Sequence, residues 1–450
     1  MQNNLQPIVM DGLFWTATAI FIISYAIIIS ERVHKTIVAM FGASLVLVLK
    51  LLSQHEAFHV EELGVDWNVI FLLLSMMVII NLMRPTGVFE YVAIRSAKLG
   101  KGDPISIMVI FSVVTAVLSA FLDNVTTVLL IAPVIVYIAE ALEVDFVPYL
   151  IACTLASNIG GTATLIGDPP NIMIASKAEL TFMDFIYQLT PVILVIMLVF
   201  CLAVKFIWGK KLKTREELKQ RIMLMDETIV IKNHLMLKKS LFVLGLTLTG
   251  FVAHGALHLE PATVALFGAS LLLLISGTHD PHHILAEAEW GTLFFFIGLF
   301  IIIGAVVKVG LISWMSVKVL EFTRGNLLAA SMGILWFSAF ASAFIDNIPY
   351  VATMTPLIID MAKQLWPGVS GTDLLHHADL LPLWWSLALG ACLGGNGTII
   401  GASANVVVAG ISEKHGRKIT FVEFMRYGMP VMVMTVTMSA VYVWVRYYAF

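Results

Sequence analysis

An aspartate–asparagine pair occurs twice in the chain, each time inside a long apolar segment. Asp123-Asn124 lies in the run SAFLDNVTTVLLIAPVIV, and Asp346-Asn347 lies in the run SAFIDNIPYVATMTPLII. Both copies follow Ser-Ala-Phe, and both have a proline ten residues after the aspartate. A carboxylate at membrane depth is energetically unfavourable, so it marks a functional site by default. Two such carboxylates in matching contexts predict one site that is built from two halves.

The segments around these pairs belong to a chain that is 59% hydrophobic and only 13% charged. Soluble globular proteins are about half apolar and a quarter charged. Several apolar segments are long enough, or nearly so, to cross a bilayer as helices, with clear cases at 12–30, 69–82, 191–208 and 293–306. A transmembrane barrel would instead show alternating segments of about ten residues. The sequence therefore predicts an all-α polytopic membrane protein.

The Asp-Asn pairs are part of a longer internal repeat. Residues 41–45, FGASL, recur at 267–271, a shift of 226 residues. Asp66-Trp67 recurs as Glu289-Trp290, with the same shift of 223 residues that relates the two pairs. Further on, GGTATLIGDPPN at 160–171 matches GGNGTIIGASAN at 394–405. Duplicated membrane halves with glycine- and proline-interrupted segments at matching places are typical of secondary transporters.

This repeat divides the chain into four parts. We predict an N-terminal transmembrane helix at 1–35, a first repeat at 36–208, a linker at 209–239 and a second repeat at 240–450. The stretch 205–239 carries ten Lys and Arg residues, which predicts that the linker is cytoplasmic. We expect the two repeats to be inverted relative to each other, and each to contain a re-entrant hairpin and a discontinuous transmembrane helix.

Within each half we expect three spans, a broken segment that carries Asp-Asn, a second broken segment and a last span. In the first half these lie near 36–53, 69–84, 104–118, 119–138, 147–171 and 190–208. In the second half an opening helix near 240–256 precedes 262–277, 291–308, 327–341, 342–362, 383–405 and 428–447.

The second broken segment should unwind around residues 160–170, because it holds three glycines and two prolines in twelve residues. Irregular backbone at membrane depth is tolerated only where it lines a cavity or is buried in protein. The helix ends at such a break offer positive N-termini to anions and carbonyl groups to cations. The break is therefore a second part of the predicted site.

The predicted site contains three carboxylates and a set of amide and hydroxyl side chains. The carboxylates Asp123, Asp346 and Asp168 are expected to carry the coupling proton or cation, because an aspartate removed from water holds a proton more readily. For Asp123 and Asp346 the alternative is a helix N-cap, and for Asp168 it is helix capping by Asp-Pro-Pro. The repeat has Ala402 in place of Asp168, so the site is asymmetric. The predicted substrate-binding residues are Asn124, Thr126, Asn158, Thr162, Thr164, Asn171, Asn347, Asn396, Thr398 and Asn405.

No lysine or arginine is expected near the middle of a span to pair with these aspartates. Lys50, Arg84, Lys205 and Lys308 all lie at predicted span ends. A permanently charged anion would then depend on helix ends, amides or a bound cation. This pattern favours a cation or a weakly ionised substrate.

Two further groups have simpler explanations. His376 and His377 with Asp373 and Asp379 have metal-ligating side chains, but a loop cluster of this kind is more often solvated, and we predict no metal site. Cys392 lies two residues from Gly394, beside the predicted helix break. Its thiol is explained either as a contact for a thiophilic substrate or, more commonly, as a small buried residue that packs there. We expect no cofactor other than the coupling ion, a proton or sodium.

The runs FLDNVTTVLLIAP and ASNIGGTATLIGDPPNIMI resemble the ArsB/NhaD ion-transporter superfamily, and within it the permeases related to the melanosomal P protein. The resemblance covers about residues 15–448. It implies inverted repeats, two hairpins and a substrate bound between them at the bilayer midplane. The distantly related divalent-anion/sodium symporters have Ser-Asn-Thr at the hairpin tips, where this chain has Asp-Asn-Val and Asp-Asn-Ile.

These observations predict a proton-coupled secondary active transporter of the inner (plasma) membrane. The first choice of substrate is arsenite or antimonite, exported in exchange for protons; the alternatives are a sodium/proton antiporter and an organic-anion permease of dicarboxylate or citrate type. Two alternatives lie outside the transporters: an intramembrane aspartic protease with an aspartate dyad, and a channel. The expected partners are a small inorganic ion or oxyacid, the lipid bilayer, a second copy in a homodimer and, for an arsenical pump, a soluble ATPase subunit. No nucleic-acid partner is expected.

Overall fold

The structure, a computed structural model, describes residues 10–60, 62–210, 212–277 and 280–449. Helices account for all regular structure in these residues. In chain order they are α1 (Gly12–Ser30), α2 (Lys35–Val48), α3 (Gln54–His59), α4 (Trp67–Met83), α5 (Val88–Leu99), α6 (Pro104–Phe121), α7 (Asn124–Ala141), α8 (Val147–Gly161), α9 (Pro169–Ala178), α10 (Phe182–Gln188), α11 (Thr190–Trp208), α12 (Glu216–Met223), α13 (His234–Leu257), α14 (Pro261–Ser276), α15 (His282–Ala286), α16 (Trp290–Lys308), α17 (Leu311–Thr323), α18 (Leu327–Phe344), α19 (Asn347–Leu365), α20 (Thr372–Leu375), α21 (Leu381–Gly394), α22 (Ser403–Lys414) and α23 (Phe421–Tyr447).

Many of these helices suit a bilayer. Nine helical stretches within the described residues are long and apolar enough to cross a membrane. They comprise α1, α4 with the turn that follows it, α6, α7, α11, α13, α16, α18 and α23. The predicted all-α polytopic class is confirmed.

The packing of the helices follows the sequence repeat. α2 packs against α16, and its counterpart α14 packs against α4. In the same way α9 packs against α19, and α22 packs against α7. Each of these contacts joins a helix of one half to a helix of the other, and each recurs when both helices are replaced by their repeat counterparts. The halves are therefore related by an approximate two-fold rotation.

The second arms of the two hairpins, α7 and α19, have their C-terminal ends on different faces of the molecule. Thr214 in the linker donates to the carbonyl of Leu142 at the end of α7, so this end lies on what we term the linker face. α13 leaves the linker and runs about 36 Å to its far end, where His254 accepts a hydrogen bond from the backbone of Phe182. We term this second side the cavity face. The segment after α19 contacts the end of α9, just before Phe182. The inverted relation of the halves stays a prediction, and these contacts favour it.

The hairpin arms differ from the predicted segments. We expected the hairpin within 119–138 and a separate span at 104–118, but the arms are the whole of α6 and α7, which meet at Leu122-Asp123. Asp123 thus lies at the tip and not within a broken helix. The cause is that Asp123 caps α7, so the chain turns immediately before it.

The predicted break between α8 and α9 is present. α8 ends at Gly161, and helix resumes at Pro169. The intervening backbone is fixed to the hairpin, because the Thr164 hydroxyl donates to the carbonyl of Ala120. The second half repeats the bond, with the Thr398 hydroxyl donating to the carbonyl of Ala343. Unwound segment and hairpin tip are therefore held together in both halves.

Candidate functional site at the hairpin tips

The N-termini of four helices lie close together. α7 and α19 begin at the two hairpin tips, and α9 and α22 begin where the broken helices resume. Their first residues touch: Asn124 and Asn347 both contact Asp168, and Ser403 contacts Asp346. Helix N-termini carry partial positive charge and unpaired N–H groups, so this arrangement attracts anions.

Asp168 lies at the centre of the cluster and is only 1% exposed. The Asn124 amide donates to its Oδ1 at 3.3 Å, and the Asn347 amide lies 3.5 Å from Oδ1 and 3.4 Å from Oδ2. Both hairpins thus direct an amide at one carboxylate. Among the described residues, the Asp168 side chain makes no capping bond to α9, so the capping explanation for Asp-Pro-Pro is wrong.

Asp123 and Asp346 do cap helices. The backbone N–H of Thr126 donates to Asp123 at 2.8 Å, and that of Ile348 donates to Asp346 at 3.1 Å. The Thr126 hydroxyl also donates to Asp123, so this predicted substrate ligand is engaged within its own hairpin. The N-cap alternative therefore describes the geometry of both aspartates, although capping does not prevent a carboxylate from taking a proton.

A chain of asparagine amides joins the halves. Asn158 accepts from Asn124 at 3.1 Å and donates to Asn396 at 2.9 Å and to Asn405 at 3.1 Å. Asn158, Asn396 and Asn405 are fully buried. These hydrogen bonds connect the hairpin tip of the first half to the broken helix of the second half.

Other predicted ligands hold the unwound backbone. The Asn171 amide donates to the carbonyl of Thr164 at 2.9 Å, and its repeat counterpart Asn405 donates to that of Thr398 at 2.8 Å. The Thr162 hydroxyl donates to the carbonyl of Asn158 at 2.7 Å. These side chains, like the Thr164 and Thr398 hydroxyls, are thus occupied by the protein itself in this conformation.

Lys35 corrects the expectation that no basic residue reaches the aspartates. Its Nζ lies 2.5 Å from Asp346 Oδ2 and 2.9 Å from Ser403 Oγ. Lys35 is the first residue of α2, at the predicted boundary of the N-terminal transmembrane helix. The sequence does not show this pairing, because the partners of Lys35 are 311 and 368 residues further along the chain. Glu289, at the start of α16, interacts electrostatically with Lys35 and Asp123.

The histidine loop is not part of the site. His376 contacts the carbonyls of Ala178 and Glu179, and the His377 ring stacks on Trp366. In the part of the chain that the structure describes, no group of three or more His, Cys, Asp and Glu residues is arranged to hold a metal ion. Cys392 is buried, and its thiol donates weakly to Asn171 at 3.5 Å.

A cavity of about 330 Å³ opens on the cavity face between α9, α16 and α19. Met173 and Ala352 line it, and each lies five residues along its helix from Asp168 or Asn347. Five helical residues span about 7.5 Å. On the other side, Lys35 and Asp346 lie next to Glu289, at the opposite end of α16 from the cavity residue Val307. The cavity therefore approaches the site from one side, and the ion pair lies on the other.

Comparison with known families identifies the group. Residues 25–390 match the CitMHS family, described as citrate transporters. The chain belongs to the CitMHS family. An uncharacterized transporter of Mycobacterium tuberculosis (strain ATCC 25618 / H37Rv) is 44% identical to this CitMHS chain over 96% of it and 98% of the relative. A 46 kDa membrane protein of Mycobacterium leprae is 43% identical over 96% and 98%. The human P protein is 34% identical over 96% of this chain and 60% of its own length.

The fold also matches a solved structure. MtrF of Neisseria gonorrhoeae, described as illuminating a class of antimetabolite efflux pumps, superposes with a TM-score of 0.56 over 100% of this chain and 96% of its own. At 11% identity this likeness concerns the fold alone. The predicted relation to the P protein is confirmed, whereas the ArsB/NhaD assignment is not.

This CitMHS chain is a multi-pass membrane transporter, and its bacterial relatives indicate the plasma membrane. The family description names citrate, so arsenite efflux gains no support, while the organic-anion alternative fits the family. The coupling ion, the site residues, the homodimer and the ATPase subunit stay predictions.

Proposed function

We propose that this CitMHS transporter moves a small carboxylate anion together with protons. The observation that carries the proposal is the pair of hairpin amides, Asn124 and Asn347, that both donate to the carboxylate of Asp168. These donors are arranged to hold a carboxylate between the two halves. In this conformation the carboxylate is the protein's own.

A substrate carboxylate competes with Asp168 for these amides. Two carboxylates at one dry site repel each other unless one of them takes a proton. A proton on Asp168 therefore frees the amides for the substrate, and loss of that proton returns the amides to Asp168. Binding of anion and proton together is the expected consequence, which is symport.

The surroundings favour an anion more than the sequence suggests. Four helix N-termini point into the cluster, and Lys35 adds a full positive charge beside Asp346. These charges are opposed by three aspartates, so the net balance depends on how many of them carry protons. Proton binding and anion binding are thereby linked through charge.

The test is transport by the purified full chain in liposomes under an imposed proton gradient. Radiolabelled citrate is the first probe, with arsenite and sodium as further arms, the last followed by a pH-sensitive dye. We expect citrate to accumulate and to stop accumulating when the gradient is collapsed. Arsenite or sodium movement without any carboxylate movement would contradict the proposal and favour the corresponding alternative.

The variant Asp168→Asn isolates the coupling step. Asparagine cannot take up a carboxylate's proton, so we expect citrate–citrate exchange to continue while proton-driven accumulation falls about tenfold or more, that is 1.4 kcal/mol or more of coupling. The matched control is Asp103→Asn, because Asp103 caps α6 by accepting from Ser106 at 2.9 Å, away from the cluster. Full proton-driven accumulation by Asp168→Asn would refute the assigned role.

A further inference from the structure

Lys35 is a charge that one half of the repeat has and the other lacks. By the shift of 226 residues that relates the two FGASL runs, the position that corresponds to it in the second half is Pro261, the first residue of α14. Asp123, the counterpart of Asp346, receives its hydrogen bonds from Thr126 of its own hairpin. The two tip aspartates therefore have different partners. Of the two, only Asp346 forms an ion pair with a basic side chain among the described residues.

Asp346 occupies a complete set of donors for a carboxylate. Lys35 Nζ lies at 2.5 Å, Ser403 Oγ at 3.1 Å and the backbone N–H of Ile348 at 3.1 Å. Lys35 belongs to α2, whereas Ser403 begins α22 and Ile348 lies in the first turn of α19. Donors from three separate helices meet at one carboxylate.

This set adjoins the donors that hold Asp168. The next residue after Asp346 is Asn347, whose amide donates to Asp168. Consecutive Cα atoms are about 3.8 Å apart, so the two sets lie close enough for one small molecule to reach both. A molecule with two carboxylates has the chemistry to fill them together.

We propose that Lys35 holds a second carboxylate of the transported anion, in the place that Asp346 now occupies, and thereby selects anions with two or more carboxylates over monocarboxylates. The proposal rests on the proposed function and assigns Lys35 as its specificity-determining residue. Lys35 and Ser403 then bind the substrate carboxylate, while Asp346 keeps its cap on α19 through Ile348.

The charges around Lys35 fit this role. Asp346 pairs with its Nζ, Glu289 interacts electrostatically with it and with Asp123, and the Phe295 ring centroid lies 5.0 Å from its Nζ. The Lys35 side chain is 27% exposed, so it is reachable without unfolding of the surrounding helices. A lysine in this position balances an anion that enters with the proton.

The experiment compares Lys35→Gln with wild type in the liposome assay, using succinate and citrate against acetate as probes. We expect the KM for succinate and citrate to rise about tenfold, which corresponds to 1.4 kcal/mol, and the KM for acetate to stay unchanged. Lys35→Arg keeps the charge and should restore most of the preference. An equal effect on all three anions, or no effect on any, would overturn the proposal.

Two controls separate specificity from folding. Lys308→Gln removes a lysine that pairs with Glu56 at 2.7 Å at the far end of α16 and should leave all KM values unchanged. The double variant Lys35→Gln/Asp346→Asn leaves no unpaired charge at the tip. If Lys35 served only to neutralise Asp346, the double variant would regain succinate selectivity; we expect it to remain unselective.

Wild type that transports no carboxylate at all would refute the proposed function itself, an outcome distinct from loss of selectivity in the variants.

Discussion

Gly160→Ala tests whether close contact between α8 and the hairpin sets the geometry of the site. A Cβ on Gly160 would lie 2.1 Å from the carbonyl oxygen of Ala116 and 2.4 Å from its Cα. Ordinary contacts to a Cβ are about 3.5 Å, and the neighbouring atoms are backbone that cannot rotate away. α8 and α6 must therefore separate by about 1 Å. Overpacking costs typically 1–3 kcal/mol, and we expect a value near 3 kcal/mol here because no side chain is able to yield.

The same displacement reaches the amide chain. Asn158 lies two residues before Gly160, and its Oδ1 accepts from Asn124 at 3.1 Å. A shift of about 1 Å takes this pair beyond hydrogen-bonding distance. Proton-driven uptake should therefore fall further than the loss of stability alone explains. The measurements are thermal unfolding in detergent and uptake per folded molecule in liposomes.

Gly333→Ala is the matched control. Gly333 lies in α18 with nothing within 4 Å of its added Cβ. Alanine favours helix over glycine by roughly 0.5–1 kcal/mol, so this variant should unfold at the same or a higher temperature. If Gly160→Ala were as stable as Gly333→Ala and transported at the wild-type rate, the inferred close packing at the site would be wrong.

Two further predictions concern the linker and the first helix. Hydrogen bonds from Lys98 lower the pKa of Glu227 from 4.5 to about 2, so the stability gained from this contact is present above pH 4.5 and is lost as pH falls toward 2. The protection of the linker amides, that is their exchange rate relative to the intrinsic rate at each pH, should be constant from pH 8 to 5 and lower at pH 3. Equal protection at all pH values would contradict this, and the linker amides of Glu227→Gln should be less protected at neutral pH. Tyr25→Phe removes a hydroxyl that donates to the carbonyl of Pro349 at 2.8 Å, and because Thr353 also donates to that carbonyl, unfolding should become easier by only about 1 kcal/mol. A loss of several kcal/mol in thermal unfolding would show that the hydroxyl has another role.

Much of the site was predictable because the repeat marks it. The Asp-Asn pairs and the glycine-rich breaks recur at fixed shifts, and the structure brings the residues of both breaks and both tips into contact. The arms of the hairpins were not predicted correctly. Apolar periodicity does not show where a chain reverses direction, and the reversal at Leu122-Asp123 depends on a single helix cap.

The roles within the site were harder to assign. From the sequence, Asp123 and Asp346 looked like the principal coupling residues, because they are doubled. The structure gives both of them helix-capping bonds and leaves Asp168, which has no counterpart, as the carboxylate that both hairpins contact. Duplication identifies where a site is, but the exceptions to the duplication distinguish its members.

The sequence by itself determined the membrane location, the two halves and the four segments of the candidate site, because hydropathy, repetition and helix-breaking residues are local properties of the chain. Only the tertiary structure decided that Lys35 meets Asp346, across 311 residues, and that Asp168 lies between Asn124 and Asn347. Such pairings depend on how helices from opposite halves pack. The charge balance of the site, on which the proposed preference for an anion depends, is therefore a property of the fold.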